Sequence, residues 1–222
     1  MLKLPMRKQG VCKSMAGALA LAVVLVSASG CVPLAIGAAA GGALVATDRR
    51  SVGTQLEDEA IERRLHRAIY AKYPEGTISV YVTSYNRKVL LLGQVTKPEF
   101  LPEIEQIAKN SENVREVVNE LQVRDLSPAP VRNNDIAITA KVSGAFIESK
   151  DVSARAVKVT TERGIVYLLG RVTQEEGDAA AKIASRVSGV NKVVKVFDYL
   201  TPEELAEIKA SEKTPPTPPA RP

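Results

Sequence analysis

The sequence predicts an α+β protein of two tandem αββαβ modules, each a three-stranded mixed sheet packed by two helices. Three observations carry this expectation. The string Val89–Thr96, VLLLGQVT, returns as Val166–Thr173, VYLLGRVT, at an offset of 77. At that offset Asp58, Ile61, Val80 and Val82 meet Asp135, Ile138, Val157 and Val159; after one deletion Ile107, Val114 and Val117 meet Ile183, Val190 and Val193. A repeat of this length is one structural unit used twice. Within each copy, apolar residues recur every four positions (Ile61, Leu65, Ile69; Ile138, Val142, Phe146), the stripe of a packed helix. Elsewhere they alternate, as in Ile78, Val80 and Val82, the signature of a half-buried strand.

The elements follow in order. Residues 1–30 read as a lipoprotein signal peptide, with a basic stretch to Lys13, an apolar run from Met15 to Val26, and then Ser27-Ala28-Ser29-Gly30. Cys31 is the expected site of lipid attachment, although Ala28 stands where the lipobox usually has Leu. The alternative is an uncleaved anchor. The apolar run is short for a span of about 20 residues, but Val32–Ala46 could extend it past Pro33. Residues 31–56 are expected to be a tether, 57–126 and 131–200 the two modules, and 201–222 a short helix with a disordered Pro-rich tail. Only Leu126–Val131 separates the modules, so direct contact between them is expected.

In the first module, Val89–Val95 is a more fully apolar strand, joined to the preceding one through Asn86-Arg87-Lys88. Gly93 and Gly170 interrupt matching strands and signal a bulge or a close backbone approach. Thr96 and Thr173 are the expected N-caps of the second helices. Pro102 falls in the interior of the first of these, so that helix starts late or is kinked. Glu57, Asp58 and Glu59, like Glu175 and Glu176, are expected at helix starts, where carboxylates favour the macrodipole.

Chemistry is sparse. Cys12 lies in the leader and Cys31 is the only other cysteine, leaving neither a disulfide pair nor a zinc set, and no metal or cofactor is expected. The only histidine, His66, sits beside Arg63 and Arg67 as a solvated surface residue. Gly-rich phosphate loops and the GxSxG and HExxH motifs are missing. No enzymatic activity is expected. The basic pI also misleads, because Lys3, Arg7, Lys8 and Lys13 precede Cys31, and 26 basic and 25 acidic residues remain after it. With three Phe, six Tyr and no Trp, nucleic acid is not an expected partner.

The copies differ in one respect. Residues 57–126 hold 10 basic and 12 acidic side chains, net −2, whereas 131–200 hold 11 and 8, net +3. The first helix of the second copy also carries a second apolar stripe, Ile136, Ala137, Ala140, Gly144 and Ile147, flanked by Lys141 and Lys150. The equivalent face of the first copy holds Glu59, Arg63, His66, Arg67 and Tyr70. An apolar stripe with basic flanks suits an anionic lipid interface. Packing against the first module or a partner protein is the competing account.

The repeated LLG-x-VT strand resembles the BON family, small αββαβ domains of bacterial envelope proteins. The likeness extends through Ala46-Thr47-Asp48, Arg50–Gln55, Val157–Glu162 and Ile183–Val190. It implies a lipoprotein on the outer membrane facing the periplasm, enriched at the division site, supporting envelope integrity. It further implies binding of anionic phospholipid, chiefly phosphatidylglycerol, through the first helix of the second domain, and Val32 after Cys31 fits sorting to the outer membrane. A scaffold for outer-membrane assembly proteins is the alternative function. A family member that the chain resembles carries Trp at the position of Ala137.

Overall fold

The computed structural model describes residues 48–213. The expected signal peptide, Cys31 and the Pro-rich tail lie outside the described residues. The first module comprises α1 (Val52–Lys72), β1 (Ile78–Tyr85), β2 (Lys88–Val95), α2 (Phe100–Lys109) and β3 (Glu116–Val123). The second repeats it as α3 (Ala129–Glu148), β4 (Val157–Glu162), β5 (Ile165–Val172), α4 (Gln174–Ala184) and β6 (Lys192–Tyr199), and α5 (Pro202–Lys213) follows. In each sheet the middle strand pairs antiparallel with the strand before it and parallel with the strand after the second helix.

The repeated aspartate has a specific task. Asp58 and Asp135 are both buried on the first helix of their module, and each carboxylate holds the hairpin turn beside it. Asp58 accepts from the amides of Asn86 at 2.8 Å and Arg87 at 2.7 Å; Asp135 accepts from those of Arg163 and Gly164, both at 2.8 Å. All four turn residues have positive φ, between 50° and 75°, as a two-residue type I′ hairpin requires. This corrects the macrodipole expectation for Glu57–Glu59. Helix α1 begins at Val52, capped by the Ser51 hydroxyl, and its first turn holds no acid. Glu175 and Glu176 do lie in the first turn of α4, where Thr173 and Glu176 form a capping box.

Thr96 is not the matching cap, because its hydroxyl donates to the Thr77 carbonyl instead. Helix α2 starts late, at Phe100, which moves Pro102 into the first turn, where a missing N–H costs nothing. Gly93 and Gly170 mark close approaches, without a break in register. A Cβ at Gly93 would collide with the Ser79 carbonyl, and one at Gly170 with that of Ala156.

Alternation along the central strands explains why both are apolar throughout. Val89, Leu91 and Val95 face α1 and α2, and Val166, Leu168 and Val172 face α3 and α4, each set within its module's own core. The opposite faces meet each other: Tyr85, Leu90 and Leu92 pack with Tyr167, Leu169 and Val196 in a third core between the sheets. The two sheets are therefore back to back with helices outside, and the expected contact between modules is a full layer.

Polar clasps surround this layer. Asp198 accepts from Arg115 at 2.6 Å, Asn86 at 2.9 Å and Lys88 at 2.9 Å. Burial pushes the Asp198 pKa up, but these three donors outweigh it and hold the carboxyl below the usual aspartate range. Burial is also the main reason that the Tyr85 and Tyr167 phenols lie above their ordinary pKa, with Asp48 and Glu120 adding to it.

Part of the expected tether is structured. Arg49 makes a two-pronged ion pair with Glu176, both at 2.7 Å, and Arg50 bridges Asp48 and Asp58 while lying 4.0 Å from the Tyr85 ring centre. Asp48–Arg50 thus straps both modules, and 52–56 belongs to α1. Residues 124–128 connect β3 to α3, which begins at Ala129 behind Pro128, with Pro130 in its first turn.

Candidate functional site

Helix α3 has apolar residues on two faces, and the structure uses only one of them for folding. Ile138, Val142 and Phe146 are buried in the second module's core. At 100° per residue, Ile136, Ala140 and Ile147 fall within a sector of about 40° on the other side, with Ala137 about 60° and Lys141 about 100° further round the helix. Ile136 is 68% exposed and Ile147 74%, and Ala137, Ala140, Lys141 and Lys150 are exposed as well. The stripe is thus not covered by the first module. Lys150 lies past the helix, after the C-cap Ser149.

What sequence reasoning did not reveal is the wall facing α3. A cleft of about 910 Å³ runs between the modules, bounded by α3 and β4 on one side and α1 and β1 on the other. Ile136 and Ala140 line it, whereas Ala137, Lys141, Ile147 and Lys150 lie outside it. Its opposite wall brings Arg63, His66 and Tyr70 of α1, the charged face of the first copy, across from the apolar stripe. The Tyr70 hydroxyl accepts from the Val80 amide at 2.9 Å and donates to its carbonyl at 3.2 Å, which seals part of the β1 edge. His66 stacks on Tyr70 with ring centres 4.5 Å apart, so it is exposed as expected but fixed in place. The periodicity of α1 did mark this face as outward; its partner across the cleft depends on how the modules dock.

Three carboxylates also reach the cleft, each bonded to protein donors. Glu62 accepts from Lys158 and the Ser84 amide at 2.8 and 2.7 Å, Asp135 holds its hairpin turn, and Glu162 accepts from Gln94 and Ser127. Arg63, by contrast, meets only the exposed Glu59, at 3.4 Å, among the described residues, and Arg132 donates to the Ser127 carbonyl. Among the described residues no group of three or more His, Cys, Asp or Glu could hold a metal ion. No helix among them is long and apolar enough to cross a membrane. The features of this region are therefore an exposed apolar stripe, a cleft beside it, and the Arg63 guanidinium on the facing wall, with Arg132 on α3 itself.

The BON domain model matches residues 57–125 and 134–201. The chain is 42% identical over 174 residues to the outer membrane lipoprotein DolP of Haemophilus influenzae, covering 77% of this chain and 89% of that one. It is 36% identical over 157 residues to a 21 kDa hemolysin of Actinobacillus pleuropneumoniae, covering 69% and 79%. Against the osmotically-inducible protein Y of Escherichia coli strain K12 the identity is 30% over 155 residues, covering 68% and 77%. With two matched domains on two repeated αββαβ modules, the chain belongs to the BON family, as a dual-BON protein similar to DolP.

Proposed function

We propose that this protein is an outer-membrane lipoprotein, anchored through Cys31 and facing the periplasm, that supports envelope integrity by binding anionic phospholipid, chiefly phosphatidylglycerol, with helix α3. Enrichment at the division site is part of the same reading. The observation that carries it is the exposure of Ile136 and Ile147 on a helix whose other face already fills a core. Large aliphatic side chains left in water gain free energy on entering lipid, and Lys141 and Lys150 add attraction to an anionic surface. The outer-membrane location draws on the name of the Haemophilus relative.

The test is co-sedimentation of residues 32–222 with vesicles of phosphatidylcholine alone or with added phosphatidylglycerol, at low and high salt. Salt-sensitive binding to the anionic vesicles is expected. Ile136→Asp with Ile147→Asp should weaken it about tenfold or more, since each buried isoleucine contributes roughly 1.5–3 kcal/mol. Because both positions are exposed, the unfolding midpoint should not change. Binding that survives both substitutions would remove α3 from the reading. A wild type that ignores both vesicles yet retains a co-purifying protein through the stripe would point to the scaffold for outer-membrane assembly proteins.

A further inference from the structure

We infer that the inter-module cleft is a second part of the lipid site, which takes one acyl chain and the phosphate of a single anionic phospholipid. The inference rests on the reading that α3 meets lipid, and adds that the first module takes part. Its apolar surface comes from both modules: Tyr70, Tyr81 and Val82 on one side, and Ile136, Ala140 and Val159 on the other. Ile136 and Ala140 belong at once to the outer stripe and to the cleft, so the apolar surface of α3 continues into it. The volume, about 910 Å³, lies within the range of small-molecule sites.

The hydrogen-bonding pattern leaves a donor for an anion at the α1 wall. The carboxylates Glu62, Asp135 and Glu162 are bonded to Lys158, to turn amides, and to Gln94 and Ser127. Among the described residues the guanidinium of Arg63 has only a long contact to an exposed carboxylate, and His66 stands one turn away, stacked on Tyr70. A guanidinium presents paired N–H donors that match a phosphate. An acyl chain between the walls would place its headgroup beside Arg63, on the first module. A flat α3 interface would make no use of that residue.

The experiment uses a lipid that forms no vesicle. Both modules' cores and the layer between them lie within the described residues, so the fragment 32–222 retains them. It is titrated with monomeric dihexanoyl phosphatidylglycerol, the chain-free headgroup glycerophosphoglycerol, and dihexanoyl phosphatidylcholine. Binding is followed by calorimetry and by amide chemical shifts. Saturable binding of the short-chain phosphatidylglycerol is expected, with shifts at Val82 and Val159, weaker binding of phosphatidylcholine and none of the bare headgroup. Arg63→Glu and His66→Glu, both on an exposed helix face, should each lower that affinity, by about tenfold for Arg63.

Vesicle binding without short-chain binding would overturn the cleft and leave α3 as a flat interface. Equal affinity for the two short-chain lipids, undiminished binding of the bare headgroup, or an unchanged affinity in Arg63→Glu would also overturn it. Loss of vesicle and short-chain binding together in the wild type would defeat the α3 reading itself.

Discussion

The two modules share one fold and diverge on one helix face, and the contrast shows which residues serve the fold and which are free for function. Ile61, Leu65 and Ile69 in α1 match Ile138, Val142 and Phe146 in α3, all buried, because each sheet demands the same apolar stripe. On the outer side no such demand acts. There α1 carries Glu59, Arg63 and His66, while α3 carries Ile136, Ala140 and Ile147. Since the fold does not need them, two large aliphatics on that side call for another explanation, and the proposed lipid contact supplies one.

The modules also solve one packing problem in opposite ways. Phe100 at the start of α2 packs against Tyr73, with ring centres 4.7 Å apart. At the equivalent position α4 has Gly177, and any side chain there would press on the rings of Phe197 and Tyr199, which replace Leu121 and Val123 of the first module. The aromatic volume has moved from helix to strand, and each core stays filled.

The largest effect should come from the turn-holding aspartates. Asp58→Ala strands two turn amides, the Ser84 hydroxyl and the Arg50 guanidinium, so a loss of about 3–5 kcal/mol is expected. Asp135→Ala releases only two turn amides, and about 1–3 kcal/mol is expected. Urea unfolding of the two variants checks the ranking; equal losses would show that the Arg50 strap adds nothing.

A smaller effect sharpens the contrast between the outer faces. Ala137→Trp places an aromatic next to the α3 stripe, where an amphipathic ring suits a lipid interface, and affinity for anionic vesicles should rise several-fold with no change in fold. The same substitution at Ala60, its counterpart on α1, should give less. Sedimentation of both variants decides it.

The smallest effect concerns the clasp between modules. Because the folded-state pKa of Asp198 is depressed, its contribution is fully present above the unfolded value near 3.9 and lost as pH falls through the lower folded value. Asp198→Asn should therefore lose stability at neutral pH and show a shallower decline below about pH 4. Parallel acid titrations of stability would give curves of the same shape for the two proteins if the clasp did not matter.

Much of this protein follows from local pattern. The duplication, the order of helices and strands and the core stripes are written in periods of two and of about four, which short-range geometry imposes. The Thr173 cap was legible for the same reason. The Thr96 cap was not, because Pro102 shifts the helix start by several residues and Thr96 bonds back across the sheet. Leu90, Leu92, Tyr167 and Leu169 showed that the central strands are apolar on both faces, but not what covers the second face. Docking of the sheets decided that, since non-directional apolar burial names no partner in advance. The same docking set Arg63 and His66 of one copy opposite Ile136 and Ala140 of the other, residues about 75 positions apart in the chain. Sequence alone therefore determined the two modules and the outward stripe on α3; the cleft exists only because tertiary packing placed one module's charged helix across from the other's apolar one.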